Sequence, residues 1–241
     1  MNFYAIDFGH TNYKVAFFSN GKMEQSYGIY DYSRGLQTTI NQSKKFEKIL
    51  CCSVIKEDDI SLYLSNLQIT TSERMKFYKA SDCQKYINFL YKNIDRLGSD
   101  RAINLVGASQ KTKKDLIVID AGTATTVDYL DSNKTHCGGI ILPGKNIIDE
   151  SFKKMLDFSF HEEEFNQGML SNNTRSCIEN GSYISAYGVT NIIIEQIKKA
   201  TFSEPEIFVT GGNAHHIIDN CNYPINYVES LLFDGLMVLG S

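Results

Sequence analysis

Two short turns carry the residues best suited to chemistry. Asp7 and Asp120 each stand near the end of an apolar run, and each is followed two residues later by a glycine. The first turn continues through Thr11 to Lys14, and the second carries Thr123. Glycine lets a backbone approach a phosphate closely, N–H groups and a threonine hydroxyl donate to its oxygens, and aspartate can hold a neutralising cation. The pair predicts a phosphate site, although either turn alone is equally well explained as a plain hairpin.

A third glycine turn follows an apolar run late in the chain. The segment Val209-Thr210-Gly211-Gly212-Asn213-Ala214 is typical of a strand that enters a Gly-Gly bend and then a helix. Such a bend suits close packing against a nucleoside, because glycine has no side chain. Alone, this segment would be only a loop.

The amino-acid composition limits which partners and which cellular location are expected. The 241 residues include 24 Lys and Arg against 28 Asp and Glu, a formal charge of −4, which argues against a nucleic-acid partner. There is no apolar run of 18 residues and no basic start to a signal peptide, so no membrane segment is expected. Six cysteines without a CxxC motif are typical of reduced thiols. We therefore expect a cytoplasmic protein.

The histidines do not predict a metal site. His161 has no second histidine four residues on. His215 and His216 are adjacent, so on a helix they are expected to point in different directions. Solvated or core histidines are the preferred interpretation.

The predicted strands that flank the aspartate turns occur in the same order in both halves of the chain. Three successive strands are predicted in each half, at 3–8, 13–18 and 22–29, and at 115–120, 126–130 and 135–142. Further predicted elements are the apolar run 49–55, helices at 57–66, 82–92, 100–110, 144–157, 175–200 and from about 229, and a strand at 206–210. Strands followed by alternating α and β segments, twice over, predict two α/β lobes with mixed sheets and a cleft between them. We place the lobes at 1–112 and 113–241.

At motif level the chain resembles the type III pantothenate kinases, within the superfamily of acetate and sugar kinases, heat-shock-70 proteins and actin. The matching segments are Asp7 to Lys14, Leu97-Gly98-Ser99-Asp100-Arg101, Asp120 to Asp128, Gly138 to Gly144, Asn173-Thr174, Thr210 to Ala214 and Leu231 to Leu236. The aspartate turns identify only the superfamily, whereas Gly-x-Asp-Arg and Gly-Gly…Pro-Gly point to the family.

The resemblance implies a fold and a reaction. The fold would be two duplicated ribonuclease-H-like, or actin-like ATPase, lobes. The reaction would be MgATP-dependent phosphorylation of pantothenate, the first step toward coenzyme A, with K⁺ or NH₄⁺ as monovalent cation. It also implies a homodimer whose active sites lie at the dimer interface.

The implied nucleotide residues follow from the same motifs. They are Asp7, Phe8, Gly9, His10, Thr11, Asn12, Tyr13, Lys14 and Thr123. Asp7 would lie near Mg²⁺ or its waters, and Asp120 would hold the monovalent cation. Lys14 is equally well interpreted as a phosphate contact or as an outward strand residue.

The implied acceptor residues centre on Asp100, the candidate general base. Ser99-Asp100 is also a plausible helix N-cap, and both roles can hold together. The implied pantothenate contacts are Tyr91, Gly98, Ser99, Asp100, Arg101 and Thr174. Arg101 could pair with the substrate carboxylate, and Tyr91 could equally be a core tyrosine on a helix face.

Three residues depart from the family pattern. His10 stands where Asn is usual, Ile94 where a proline is common, and Asn213 where Asp is usual. His10 puts the ATP affinity or its pH dependence in question, and Ile94 the approach to the substrate loop.

Two alternatives stay open. The resemblance includes accessory regulators of gene expression that keep the fold and act through partners, although the complete catalytic set and the acidic charge argue against this. The superfamily also includes kinases for other small alcohols and enzymes that hydrolyse polyphosphate. The Gly-x-Asp-Arg segment favours pantothenate.

Overall fold

The structure, a computed structural model, describes residues 2–31, 45–55, 60, 75–156 and 170–241. Its strands are β1 (Asn2–Phe8), β2 (Asn12–Ser19), β3 (Lys22–Asp31), β4 (Lys48–Ser53), β5 (Met75–Tyr78), β6 (Asn88–Phe89), β7 (Leu116–Ala121), β8 (Ala124–Leu130), β9 (Thr135–Pro143), β10 (Glu206–Thr210) and β11 (Ile225–Tyr227). Its α-helices are α1 (Ser99–Ser109), α2 (Lys145–Leu156), α3 (Thr174–Tyr183), α4 (Val189–Thr201), α5 (Ala214–Ile218) and α6 (Leu231–Gly240). Short 3₁₀ helices occupy Ala80–Lys85 and Ile94–Arg96.

The first of two units is built on a mixed sheet. It comprises Met1–Lys113, Asn133–Cys137 and Ser230–Ser241. Its strand order is β3-β2-β1-β4-β5, with β1 antiparallel to β2 and parallel to β4. Apolar side chains such as Tyr4, Ile6 and Val15 fill one core cluster. Their burial is the main stabilising contribution expected for this sheet.

The second unit repeats this topology. It comprises Lys114–Ser132 and Gly138–Glu229. The second sheet has six strands in the order β6-β9-β8-β7-β10-β11, and its run β9-β8-β7-β10-β11 corresponds to the first sheet. Here β7 is antiparallel to β8 and parallel to β10, as β1 is to β2 and β4. Asp7 and Asp120 are each the penultimate residue of their strand. The predicted duplication of an α/β fold with mixed sheets is confirmed.

The C-terminal helix packs within the first unit. A Cβ on Gly107 of α1 would lie 2.4 Å from the Leu231 carbonyl oxygen, and one on Gly235 of α6 would lie 2.1 Å from the Ile103 carbonyl oxygen. The two glycines therefore let α1 and α6 approach backbone to backbone. Division of the chain at residue 112 stays a prediction.

Most predicted elements are confirmed, and one is wrong. The predicted 175–200 helix is continuous except for a π-helical turn at Ile184–Gly188. The predicted helix at 82–92 is replaced by a 3₁₀ helix and β6, because Asn88 and Leu90 donate backbone hydrogen bonds to the Lys134 and His136 carbonyls. Most of 57–66, and His161, lie outside the described residues. In the described part of the chain, no helix is both long and apolar enough to cross a membrane.

A carboxylate at the start of β7 should make the stability of the second unit depend on pH. Asp115 Oδ2 accepts from the Tyr129 hydroxyl at 2.7 Å, and Oδ1 accepts from the Ser132 N–H at 2.7 Å. Partial burial raises the pKa of Asp115, but hydrogen bonds from Tyr129, Ser203 and Ser132 outweigh it, so the net pKa is lowered. A lowered pKa in the folded state stabilises it above the unfolded pKa and ceases to do so as pH falls through the folded value.

Asp115→Asn is therefore expected to lower the free energy of unfolding at pH 7 by about 0.5–1.5 kcal/mol, because solvent screening of this partly exposed carboxylate reduces the usual contribution of a charge-assisted hydrogen bond. The difference from wild type should shrink as the pH falls from about 4, the ordinary pKa of an aspartate in the unfolded chain, through the lower pKa of Asp115 in the folded protein. Urea denaturation across this pH range measures it. A difference that stays constant with pH would contradict the assignment, and Tyr129→Phe serves as a variant that removes one donor and keeps the charge.

Candidate functional site

A row of three side chains crosses the first sheet at the carboxyl end of β1. Asp7 pairs in register with Lys14 of β2 and with Cys52 of β4. Directly paired residues of neighbouring strands point to the same face of a sheet. Lys14 therefore shares a face with Asp7, which favours its interpretation as a phosphate contact. Asp7 is only 9% exposed.

The turn after β1 is closed by a backbone hydrogen bond. The Gly9 N–H donates to the Asn12 carbonyl at 3.1 Å, and a Cβ on Gly9 would lie 2.9 Å from that oxygen. His10 and Thr11 at the tip are exposed. Phe8 and Tyr13, although predicted as nucleotide residues, place their side chains in the apolar core, so only their backbone is available to a ligand.

Asp100 lies in the first turn of α1. The N-cap is Gly98, which makes no side-chain capping bond, and Asp100 Oδ1 accepts from the Arg101 N–H at 2.8 Å. A Cβ on Gly98 would lie 2.5 Å from the same oxygen, so glycine leaves room for the carboxylate. Asp100 thus satisfies one N–H of the helix start, while Ser99 is not the cap.

Both carboxylates act on one buried thiol. Burial raises the pKa of Cys52 well above its usual range, and the charges of Asp7 and then Asp100 raise it further. The charges of Asp7 and Asp100, 93 residues apart in the chain, thus both act on the same sulfur. The thiol stays protonated and therefore uncharged. Sequence reasoning did not identify Cys52, because nothing in the local pattern links it to Asp100.

A cavity of about 530 Å³ opens in the same unit. It is lined by Ser53, Ile55, Ile60, Phe77, Tyr78, Lys79, Ala80, Ser81, Ile94, Asp95, Leu97 and Ser99. Ser53 and Tyr78 stand at the carboxyl ends of the parallel strands β4 and β5, where open α/β sheets commonly bind ligands. Of the predicted acceptor residues, Ser99 contributes to the lining. A mostly apolar wall with a few polar groups suits a small organic molecule.

Tyr91 does not lie on a helix face, which was one of the two interpretations offered for it. It follows β6, and its ring stacks on the fully buried His136 ring with centroids 6.4 Å apart. Phe89 meets the same imidazole edge-on at 5.5 Å. Arg101 is also buried, at 6% exposure. The sequence alone did not indicate that His136 packs against the predicted site residue Tyr91.

The second unit carries an equivalent row. Asp120 pairs in register with Thr126 of β8 and with Thr210 of β10. The Gly122 N–H donates to the Ala124 carbonyl at 3.0 Å, which closes the turn. Thr123 is exposed at its tip. Each predicted aspartate thus precedes a closed glycine turn.

Two glycines pack directly against the turn 121–124. A Cβ on Gly144 would lie 2.1 Å from the Thr123 carbonyl oxygen. Gly211 has φ +97°, and a Cβ there would lie 2.5 Å from the Ala121 carbonyl oxygen and 2.6 Å from Asp120 Oδ1. Glycine at 211 therefore lets its backbone pass close to the Asp120 carboxylate, which is the kind of oxygen ligand that K⁺ or Mg²⁺ takes.

The remaining predicted residue, Thr174, is exposed and begins α3. The helix is capped by Asn173, whose side chain accepts from the Ser176 N–H at 2.9 Å. A substrate contact from Thr174 stays a prediction.

The expectation that His215 and His216 point in different directions is wrong. The rings of His215 and His216 face one another, with centroids 3.8 Å apart, and His216 stacks on Tyr187 at 4.7 Å. The short helix α5 and the Tyr187 ring hold them together. Among the described residues, no three His, Cys, Asp or Glu side chains are grouped to hold a metal ion.

Comparison with known proteins gives a consistent result. The family model described as type III pantothenate kinase matches residues 3–196. A type III pantothenate kinase of Finegoldia magna is 28% identical over 250 aligned positions, covering 97% of this chain and 95% of that protein. One of Syntrophotalea carbinolica is 36% identical over 152 positions, covering 62% of this chain and 59% of that protein. The second match therefore spans less than two thirds of the relative.

A solved structure is similar over nearly the whole chain. It is a conserved protein from Campylobacter jejuni assigned to the Baf family of transcriptional activators, with TM-score 0.60, 19% identity and coverage of 98% and 96% of the two chains. At this identity the likeness concerns the fold alone. Together with related structures it confirms the predicted actin-like ATPase fold.

Proposed function

Because the chain belongs to the type III pantothenate kinase family, we propose that it transfers the γ-phosphoryl group of ATP to the primary hydroxyl of pantothenate, giving 4'-phosphopantothenate and ADP. This is the first step toward coenzyme A. One observation supports the assignment beyond family membership: Asp7 pairs in register with the buried Cys52, the charge of Asp100 acts on the same thiol, and the same unit holds the cavity lined by Ser99.

In this proposal Asp100 acts on the acceptor. The hydroxyl oxygen bonds to the γ-phosphorus as the bond to the β,γ-bridging oxygen breaks, ADP leaves with the electron pair, and the hydroxyl proton passes to the Asp100 carboxylate. Phosphoryl transfer depends chiefly on positioning and charge neutralisation. The Arg101 N–H donates to one Asp100 oxygen and fixes the orientation of the carboxylate. Arg101 itself is assigned to the substrate carboxylate, with Tyr91 and Gly98 as further contacts.

The two aspartate turns are assigned to the nucleotide. Lys14 and the turn 9–12 would receive phosphate oxygens, and so would Thr123. Asp7 would hold Mg²⁺ or its waters, and Asp120 a monovalent cation such as K⁺. When bound, these ions neutralise charge on the phosphates and thereby ease nucleophilic attack.

We further propose that the protein acts as a homodimer in the cytoplasm. Exposed apolar side chains on β9, α2 and α4 support a second copy as partner; they are Ile140, Ile141, Ile147, Met155, Leu156 and Ile192. Thr174 is assigned to the pantothenate site at that interface. The net charge of −4 gives no support for a nucleic-acid partner.

An acceptor comparison tests the proposal. Purified protein is given MgATP with pantothenate, glucose, glycerol or no acceptor, in KCl and in NaCl, and ADP release is followed. We expect release that requires pantothenate and is faster in KCl. A sugar or glycerol that outcompetes pantothenate would support a kinase for another alcohol, and a folded protein that is inactive in both salts would support a regulator acting through partners.

A further inference from the structure

Asn213 ties the late glycine turn to the phosphate turn of the second unit. Its backbone N–H donates to the Ala121 carbonyl at 2.9 Å. Its side-chain Nδ2 donates to the Gly122 carbonyl at 3.1 Å, across 91 residues of sequence. Two segments far apart in the chain are thus joined by two hydrogen bonds to neighbouring peptide groups.

The second of these bonds fixes a peptide plane that is otherwise easily rotated. Glycine has the widest range of backbone angles, so the peptide group that follows Gly122 has little intrinsic preference. In a planar trans peptide, the carbonyl of one residue and the N–H of the next point in opposite directions. While the Gly122 carbonyl faces Asn213, the Thr123 N–H must therefore point away from Asn213.

The carbonyls of Ala121 and Thr123, on either side of Gly122, each pack against a glycine. A Cβ on Gly211 would meet the Ala121 oxygen, and one on Gly144 would meet the Thr123 oxygen, so both glycines lie in close contact with the turn. The Gly122 carbonyl accepts a hydrogen bond from the side chain of Asn213. An aspartate in its place has almost the same shape but no N–H to donate.

We propose that Asn213 is a positioning residue of the nucleotide site. Its amide donor fixes the Gly122–Thr123 peptide so that the Thr123 N–H is directed at an ATP phosphate, which rests on the proposed function for the identity of the ligand. Asn213 touches neither ATP nor pantothenate in this role. Loss of the donor should therefore weaken ATP binding without affecting the acceptor.

The test is Asn213→Asp, with Asn213→Ala as a variant that removes the donor without adding charge. MgATP binding is measured by titration calorimetry in the absence of pantothenate, so that the readout does not depend on turnover. We expect the dissociation constant for MgATP to rise about 3- to 10-fold in both variants, and KM for pantothenate to stay within about 2-fold. This range corresponds to the net contribution of a single neutral hydrogen bond.

Asn191→Asp is the matched control. Asn191 Nδ2 also donates to a backbone carbonyl, that of Asn220 at 2.7 Å, within the same unit but outside the turn. Wild-type ATP affinity in Asn213→Asp, or an equal loss in Asn191→Asp, would overturn the proposal. If the wild-type protein binds MgATP but phosphorylates no pantothenate, the proposed function fails while the affinities still decide the role of Asn213.

Discussion

Asp100→Asn should reduce turnover with MgATP and pantothenate by at least about 100-fold, the lower end of what a positioned general base contributes. The substitution removes the proton acceptor and keeps the shape of the side chain. Its amide oxygen can still accept from the Arg101 N–H, so the start of α1 should be preserved. Steady-state ADP release with pantothenate as the varied substrate measures the effect.

Two further measurements separate loss of the base from loss of structure. The affinity of Asp100→Asn for MgATP, measured without pantothenate, should match that of wild type, because Asp100 is assigned to the acceptor. Its thermal unfolding midpoint should also be close to that of wild type. A variant that keeps more than about a third of wild-type turnover would contradict the role of Asp100 as base.

Gly144→Ala should lower kcat/KM for ATP by about 100-fold, because a displacement of about 1 Å at a reacting site can cost that much. Its Cβ would stand 2.1 Å from the Thr123 carbonyl oxygen, a separation that no real Cβ tolerates. The obstacle is backbone, so the turn 121–124 must shift. We expect most of this loss to come from a higher KM for ATP.

Gly181→Ala is the matched control in the same unit. Gly181 lies within α3, and a Cβ there would meet nothing within 4 Å. Alanine favours a helix over glycine by about 1 kcal/mol, so this variant should be at least as stable as wild type. Unchanged ATP kinetics in Gly144→Ala, or an equal loss in Gly181→Ala, would contradict the assignment of the turn.

The duplicated aspartate turns were predictable because their signal is local. An apolar strand, Asp, a glycine two residues later and a second strand define each hairpin within about 15 residues. The register then places Asp7 beside Lys14 and Asp120 beside Thr126 without help from distant segments. Helix α1 was equally predictable, because its apolar pattern begins directly after Asp100.

The segment 82–92 was not predictable in the same way. Its apolar residues, such as Cys83, Ile87 and Leu90, have a spacing that also suits a helix. Pairing of Asn88 and Phe89 with Thr135 and His136 overrides that local pattern. The alternation in Met75–Tyr78 was a usable signal for the missed strand β5, but a four-residue strand is easily overlooked.

Contacts between distant residues account for the rest of what sequence reasoning missed. Asp100 acts electrostatically on Cys52, and Asn213 donates a hydrogen bond to Gly122. The members of each pair are far apart in the chain, so no local sequence pattern indicates that they interact. The change from the usual Asp at 213 was visible in the sequence, but its consequence depends on a carbonyl within reach of the amide. Gly107 and Gly235 likewise acquire a role only where α1 meets α6.

Pantothenate kinase activity is tested most directly by measuring both products of one reaction. Wild-type protein is incubated with MgATP, KCl and pantothenate, ADP is quantified, and the acceptor is identified by mass spectrometry. We expect one 4'-phosphopantothenate for each ADP, with no ADP formed when pantothenate is omitted. ADP formed at the same rate without pantothenate, or pantothenate recovered unchanged from folded protein, would contradict it.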